Sequence, residues 1–209
     1  MTGKGHLIVG SAVTVATLTV ADYSFSAEFA VATFIGLFAA LLPDIDSPNS
    51  LLKSLIRANN QPRLIQSILG KKVPKNPLFK LIYIPLASLE MFLRAAIMFP
   101  LDLAAKLPHR GPTHYGATAA LLTYLVYQLT LFLNQSPIYA IAFGAGYLSH
   151  LFADGLTRAG IPLFGPLIRQ RIHLLPKFLR IRTERSISFY ELLYILCIMG
   201  GSIYAALFL

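Results

Sequence analysis

Cysteine is nearly absent: Cys197 is the one cysteine in 209 residues, and it lies in an apolar run. That excludes a disulfide framework and a thiolate metal site. Charge is scarce as well. Asp, Glu, Lys and Arg make up 13% of the chain, against roughly 25% in soluble domains. Carboxylates are the scarcer sign, with 9 Asp/Glu against 18 Lys/Arg. A water-soluble domain of this size would not need so much apolar surface. Repeats and low-complexity tracts are missing too, so length bounds the chain to a single domain, 1–209.

What is present is apolar. Hydrophobic residues are 56% of the chain and the mean hydropathy is +0.63. This predicts an all-α, polytopic membrane protein. Six apolar runs are visible, at 7–21, 25–42, 81–105, 115–133, 138–156 and 190–209. The start loosely resembles a signal peptide, with one lysine, an apolar run and small residues after it. Cleavage would remove His6, which the site described below needs. The net charge of +9 suggests basic loops facing anionic lipid headgroups. No nucleic-acid partner is expected, because the chain lacks a recognition-helix pattern and aromatic–basic interleaving.

Charge placement sets the topology. The basic loops at 43–80 and 157–189 hold 14 of the 18 Lys/Arg. If all six runs crossed, these loops would lie on opposite faces, against the positive-inside bias. If 81–105 does not cross, every Lys and Arg falls on one face, cytoplasmic by the rule. Run 81–105 has the flaws of a non-spanning element: Pro85, Pro100 and the Glu90–Arg94 pair. The expectation is therefore about five spans plus an interfacial or re-entrant helix at 81–105. The protein would be multi-pass in the inner membrane, with its N-terminus on the cytoplasmic side.

The same topology gathers the chemistry. His6, Asp44, Asp46, His109, His114, His150 and Asp154 all fall at cytoplasmic helix ends or just beyond. His150 and Asp154 are four apart, one turn from each other on one helix face. Imidazole and carboxylate without thiolate suit a catalytic zinc, and also manganese or iron(II). These seven residues are the candidate ligands; of Asp44 and Asp46, two apart, one could point to a metal and the other to a ligand histidine or a water, and Asp154 is the candidate bridging ligand. Asp46, in the turn after the second apolar run, is a candidate ligand or general base, and His109, in the loop before His114, is a candidate catalytic residue. Arg110 could clamp a phosphate oxygen. His173, in a basic stretch, reads as a surface residue.

These residues carry a resemblance. The Gly-His-Leu-Ile-x-Gly start, Leu-Pro-Asp-Ile-Asp at 42–46, His-Arg-Gly-Pro-Thr-His at 109–114 and Gly-Tyr-Leu-Ser-His-Leu-Phe-Ala-Asp at 146–154 resemble the YdjM-like family. Its members are known as LexA-regulated, membrane-bound metal-dependent hydrolases. The resemblance spans residues 5 to about 166 and implies an inner-membrane helical protein with metal-dependent hydrolase activity. The family is distantly similar to zinc-dependent phospholipase C and P1-type nucleases. Their order of an early His, a lone Asp, a His and then His-x3-Asp matches His6, Asp44, His114, His150 and Asp154. Their downstream His-x3-Glu has no match here, which leaves one or two ions, two being the more economical count.

The expected reaction is attack of metal-activated water on a phosphoester of a lipid or other amphiphile, with membrane lipid as both environment and substrate. The rival is a non-enzymatic divalent-metal-binding protein or transporter. Transport would spread ligands through the membrane depth, and here they cluster at one face.

Overall fold

The computed structural model describes residues 1–47, 50, 110–168, 170–182 and 187–208. The helix expected at 81–105, most of the basic loop 43–80, and His109 lie outside the described residues.

Capping chemistry sets where the first two helices begin. Helix α1 runs Gly3–Val20, starting before the apolar run because Thr2 caps it. Thr2 is extended, and its Oγ1 accepts from Gly5 N at 3.1 Å. The early start puts His6 in the helix. Helix α2 runs Ala27–Ala39. Ser26 accepts from Phe29 N at 3.2 Å, and Glu28 sits in the first turn, favourable to the helix dipole. The helix stops short of the expected 42. Leu41 and Leu42 bond three residues back, and Pro43 then opens a 3₁₀ turn, Pro43–Asp46.

A second 3₁₀ turn, Pro112–His114, leads into α3, Gly116–Phe132. Helix α4 is Ile138–Gly155 and α5 is Phe189–Phe208. Among the described residues regular structure is all helical, with two isolated β-bridges.

Helix α4 is the centre. It packs against α1, α2 and α3, while α1 also meets α2 and α5. Small residues allow this closeness. A Cβ on Gly146 would overlap the Gly36 carbonyl oxygen, so α2 and α4 meet backbone to backbone. Two hydroxyls of α1 are satisfied within the helix: Thr17 and Thr19 donate to Val13 O and Val15 O at 2.8 and 2.9 Å. Large apolar side chains face outward instead. Leu121, Leu125 and Leu129 on α3, and Leu192, Leu196 and Ile203 on α5, are all exposed. That inverts the surface of a soluble protein.

One described helix, α5, is long and apolar enough to cross a membrane. Helices α2 and α3, at 13 and 17 residues, are apolar but shorter. Helices α1 and α4 have 18 residues each. They fall short in apolarity because they carry Lys4 and His6, and His150 and Asp154. The residues that build the site are the ones that weaken the spanning signal.

The segment after α4 folds back over its end. Leu174 N bonds Gly155 O at 2.9 Å, and Ile181 N bonds Leu156 O at 3.0 Å. Ile161 and Ile172 exchange bonds of 3.0 and 2.8 Å. Ile161 is buried with Tyr147, Leu151, Ala39 and Ala119.

Candidate metal centre

Four chain segments end at one place. Helix α1 begins there, bringing His6, and α4 ends there, bringing His150 and Asp154. The 3₁₀ turn after α2 brings Asp44 and Asp46. The 3₁₀ turn before α3 brings Arg110, Thr113 and His114. His6, His114, His150 and Asp154 are 0–1% exposed.

The side chains converge on one point. Asp154 Oδ1 lies 3.3 Å from His6 Nε2, and Asp154 Oδ2 lies 3.5 Å from His114 Nε2 and 4.0 Å from His150 Nε2. Asp44 Oδ1 lies 3.7 Å from His150 Nε2 and 4.0 Å from His114 Nε2. The His6 and His150 rings stack, with centroids 3.8 Å apart. The Met1 amino group is 3.4 Å from Asp154 Oδ1. These separations exceed ordinary hydrogen bonds of about 2.7–3.2 Å. They suit donors placed about one ion, since two ligands roughly 2.0–2.2 Å from a metal lie some 3–4 Å apart.

Two hydrogen bonds orient the imidazoles. His150 Nδ1 is 2.7 Å from Ala40 O. A carbonyl only accepts, so Nδ1 carries the proton and Nε2 keeps its lone pair. That Nε2 is buried and has no hydrogen-bond partner among the described residues. Thr113 Oγ1 donates to Asp46 Oδ2 at 3.0 Å. It therefore accepts from His114 Nδ1 at 3.0 Å, which turns His114 Nε2 toward Asp44 and Asp154.

Asp46 and Arg110 stand behind the cluster. Asp46 Oδ2 accepts from Arg110 N at 2.9 Å as well as from Thr113. It fixes the turn that carries His114. The guanidinium of Arg110 sits 3.0 Å from Asp154 Oδ2 and donates to Thr157 Oγ1 and Gly160 O at 3.1 and 2.9 Å. It is thus engaged with the protein on three sides. Arg110 adopts a left-handed backbone, φ 60°.

Two groups of side chains could hold a metal: His6, Asp44 and His150; and His114, His150 and Asp154. In each the donor atoms lie within 4.8 Å of one another. His150 belongs to both, and its Nδ1 is taken by Ala40. One lone pair binds one ion, so His150 can serve only one of the two groups at a time. Three imidazoles, two carboxylates and an unpartnered buried nitrogen fit a divalent ion. His150 is common to both groups, and Asp154, the bridging candidate from the sequence, faces His6 with one carboxylate oxygen and His114 and His150 with the other.

Several supporting residues are not evident from motif spacing. Glu191, fully buried in the first turn of α5, accepts from Thr2 N and Thr2 Oγ1, both at 2.8 Å. It holds the start of α1, one turn from His6. Its signal was available: it is the one carboxylate in the last apolar run. Tyr147 OH donates to Thr113 O at 2.5 Å, tying α4 to the His114 turn. His173 Nε2 lies 3.1 Å from Arg158 O, exposed and outside the cluster.

No curated protein and no solved structure matches the chain. The family described as YdjM inner membrane protein matches residues 1–209, an extent that includes every segment of the site. The chain belongs to the YdjM inner membrane protein family.

Proposed function

We propose that this protein is a multi-pass inner-membrane hydrolase that holds one divalent ion at its cytoplasmic face and acts on a phosphoester of a lipid or another amphiphile. His6, Asp44, His114, His150 and Asp154 would be the ligands. Zinc suits the donors best, and manganese or iron(II) would also fit. The observation that carries the reading is the convergence of five candidate ligand side chains from four segments, four of them buried, with His150 Nε2 left without a hydrogen-bond partner among the described residues. The one-face placement of the Lys and Arg residues supports the topology, with 81–105 kept on the cytoplasmic side.

A bound divalent ion supplies Lewis acidity and brings the pKa of a water towards neutrality. The chain's own groups do the rest. Asp44, with a side chain 20% exposed, is the ligand nearest the open side and would accept the water's proton. Asp46 and Thr113 keep His114 oriented. Arg110 balances the charge of Asp154 and fixes its carboxylate. His109, in the same loop, keeps its place as a candidate catalytic residue.

The test is hydrolysis by purified protein with zinc or manganese against a panel of phospholipids, beside His150→Ala and Asp154→Ala. Turnover in the wild type alone supports the reading; equal turnover in all three overturns it. Near-complete burial of four ligands favours a second reading, a closed metal site that stabilises the bundle. It predicts metal-dependent stability with no turnover.

A further inference from the structure

The segment 157–182 holds six Lys/Arg and no Asp or Glu. It also carries large apolar side chains turned to the outside. Leu167 is 92% exposed, Phe178 83%, Phe164 57% and Ile168 50%. They form two groups, one at the tip of the turn closed by the Ile161–Ile172 pair and one near Pro176.

Neither group is a loose tail. Ile161 is buried in the core, Leu174 N bonds Gly155 O, and Ile181 N bonds Leu156 O. Arg171 and Arg180 are also held, donating to Ala159 O and Leu175 O at 3.2 and 2.9 Å. A fixed scaffold thus presents apolar tips flanked by cations. Water disfavours those tips, at roughly 25 cal/mol per Å² of apolar surface. Negative charge at the same depth would complement these cations, which have no Asp or Glu within their own segment.

We propose that this segment is an anionic-lipid interface: Phe164, Leu167 and Phe178 enter the headgroup–acyl boundary of the leaflet beside the site, while Arg171, Lys177 and Arg180 bind phosphate headgroups. Both features belong to interfacial recognition, apolar insertion together with roughly 1 kcal/mol of attraction per cation near an anionic surface. The inference does not depend on the metal. It concerns residues outside the set of five proposed ligands, and it survives if the protein has no hydrolytic activity.

The chain has no tryptophan, so a single introduced indole reports one position. Leu167→Trp, at a site 92% exposed, perturbs no packing. The full-length variant is placed in nanodiscs of phosphatidylcholine, with or without phosphatidylglycerol, and its emission and quenching are recorded. The expected result is blue-shifted emission, quenched at least twofold more by lipid brominated near the headgroup than by acrylamide. Replacing Arg171, Lys177 and Arg180 together by Gln should abolish any difference between the two lipid compositions. Water-like emission quenched by acrylamide and not by brominated lipid would overturn the proposal. Insertion that ignores both lipid charge and the Gln replacements would overturn its anionic half.

Discussion

His150 was legible as a candidate ligand from its spacing to Asp154, and its tautomer was not. The Ala40 carbonyl that fixes it lies 110 positions away in sequence, and no local pattern encodes that contact. For Arg110 the motif suggested a substrate clamp; the fold adds a contact the motif does not encode, its guanidinium 3.0 Å from Asp154 Oδ2. Two predictions follow at this scale. Arg110→Met leaves the buried Asp154 without its guanidinium and should cost about 3–5 kcal/mol of stability in metal-free protein. Added zinc should recover part of that loss, since the ion supplies the missing positive charge; thermal unfolding with and without zinc reads both effects. Glu191→Ala removes the acceptor for Thr2 N and Thr2 Oγ1. The expected cost is about 1–3 kcal/mol, together with weaker zinc binding because α1 presents His6. Glu191→Gln, which keeps an acceptor oxygen, should lose less of both.

At the scale of elements, apolar runs located the five described helices to within a few residues. The ends that moved were set by chemistry that hydropathy does not register. Thr2 capping carried α1 back to Gly3 and brought His6 into the helix. The Pro43 turn shortened α2 and placed Asp44 and Asp46 under α4. Contacts between helices were less legible, because Gly36 and Gly146 are distant in sequence and their meeting depends on the fold. Gly146→Ala should force α2 and α4 apart and cost about 1–3 kcal/mol. A lower midpoint of thermal unfolding in detergent would show it, and an unchanged midpoint would mean that the helices do not meet as described. Gly200→Ala, where a Cβ meets nothing within 4 Å, is the matched control.

For the whole molecule, charge asymmetry and ligand convergence are two separate lines pointing to one face. The chain's sole cysteine, Cys197, is exposed on α5, so a Cys197→Ser background suits single-cysteine mapping. Cysteines placed at Arg158 and Lys177 should react only when the cytoplasmic side is opened to an impermeant maleimide, and one placed at Asn134 should react from the other side. Labelling of all three from one side would contradict the topology. The central claim is that one ion sits among His6, Asp44, His114, His150 and Asp154. Elemental analysis of purified protein, with folding checked by circular dichroism, tests it most directly. About one equivalent of divalent metal per chain is expected in the wild type, falling to background in His150→Ala and in Asp154→Ala while Cys197→Ser retains it. Wild-type protein that stays metal-free after incubation with zinc, or variants that hold as much metal as the wild type, would contradict the account.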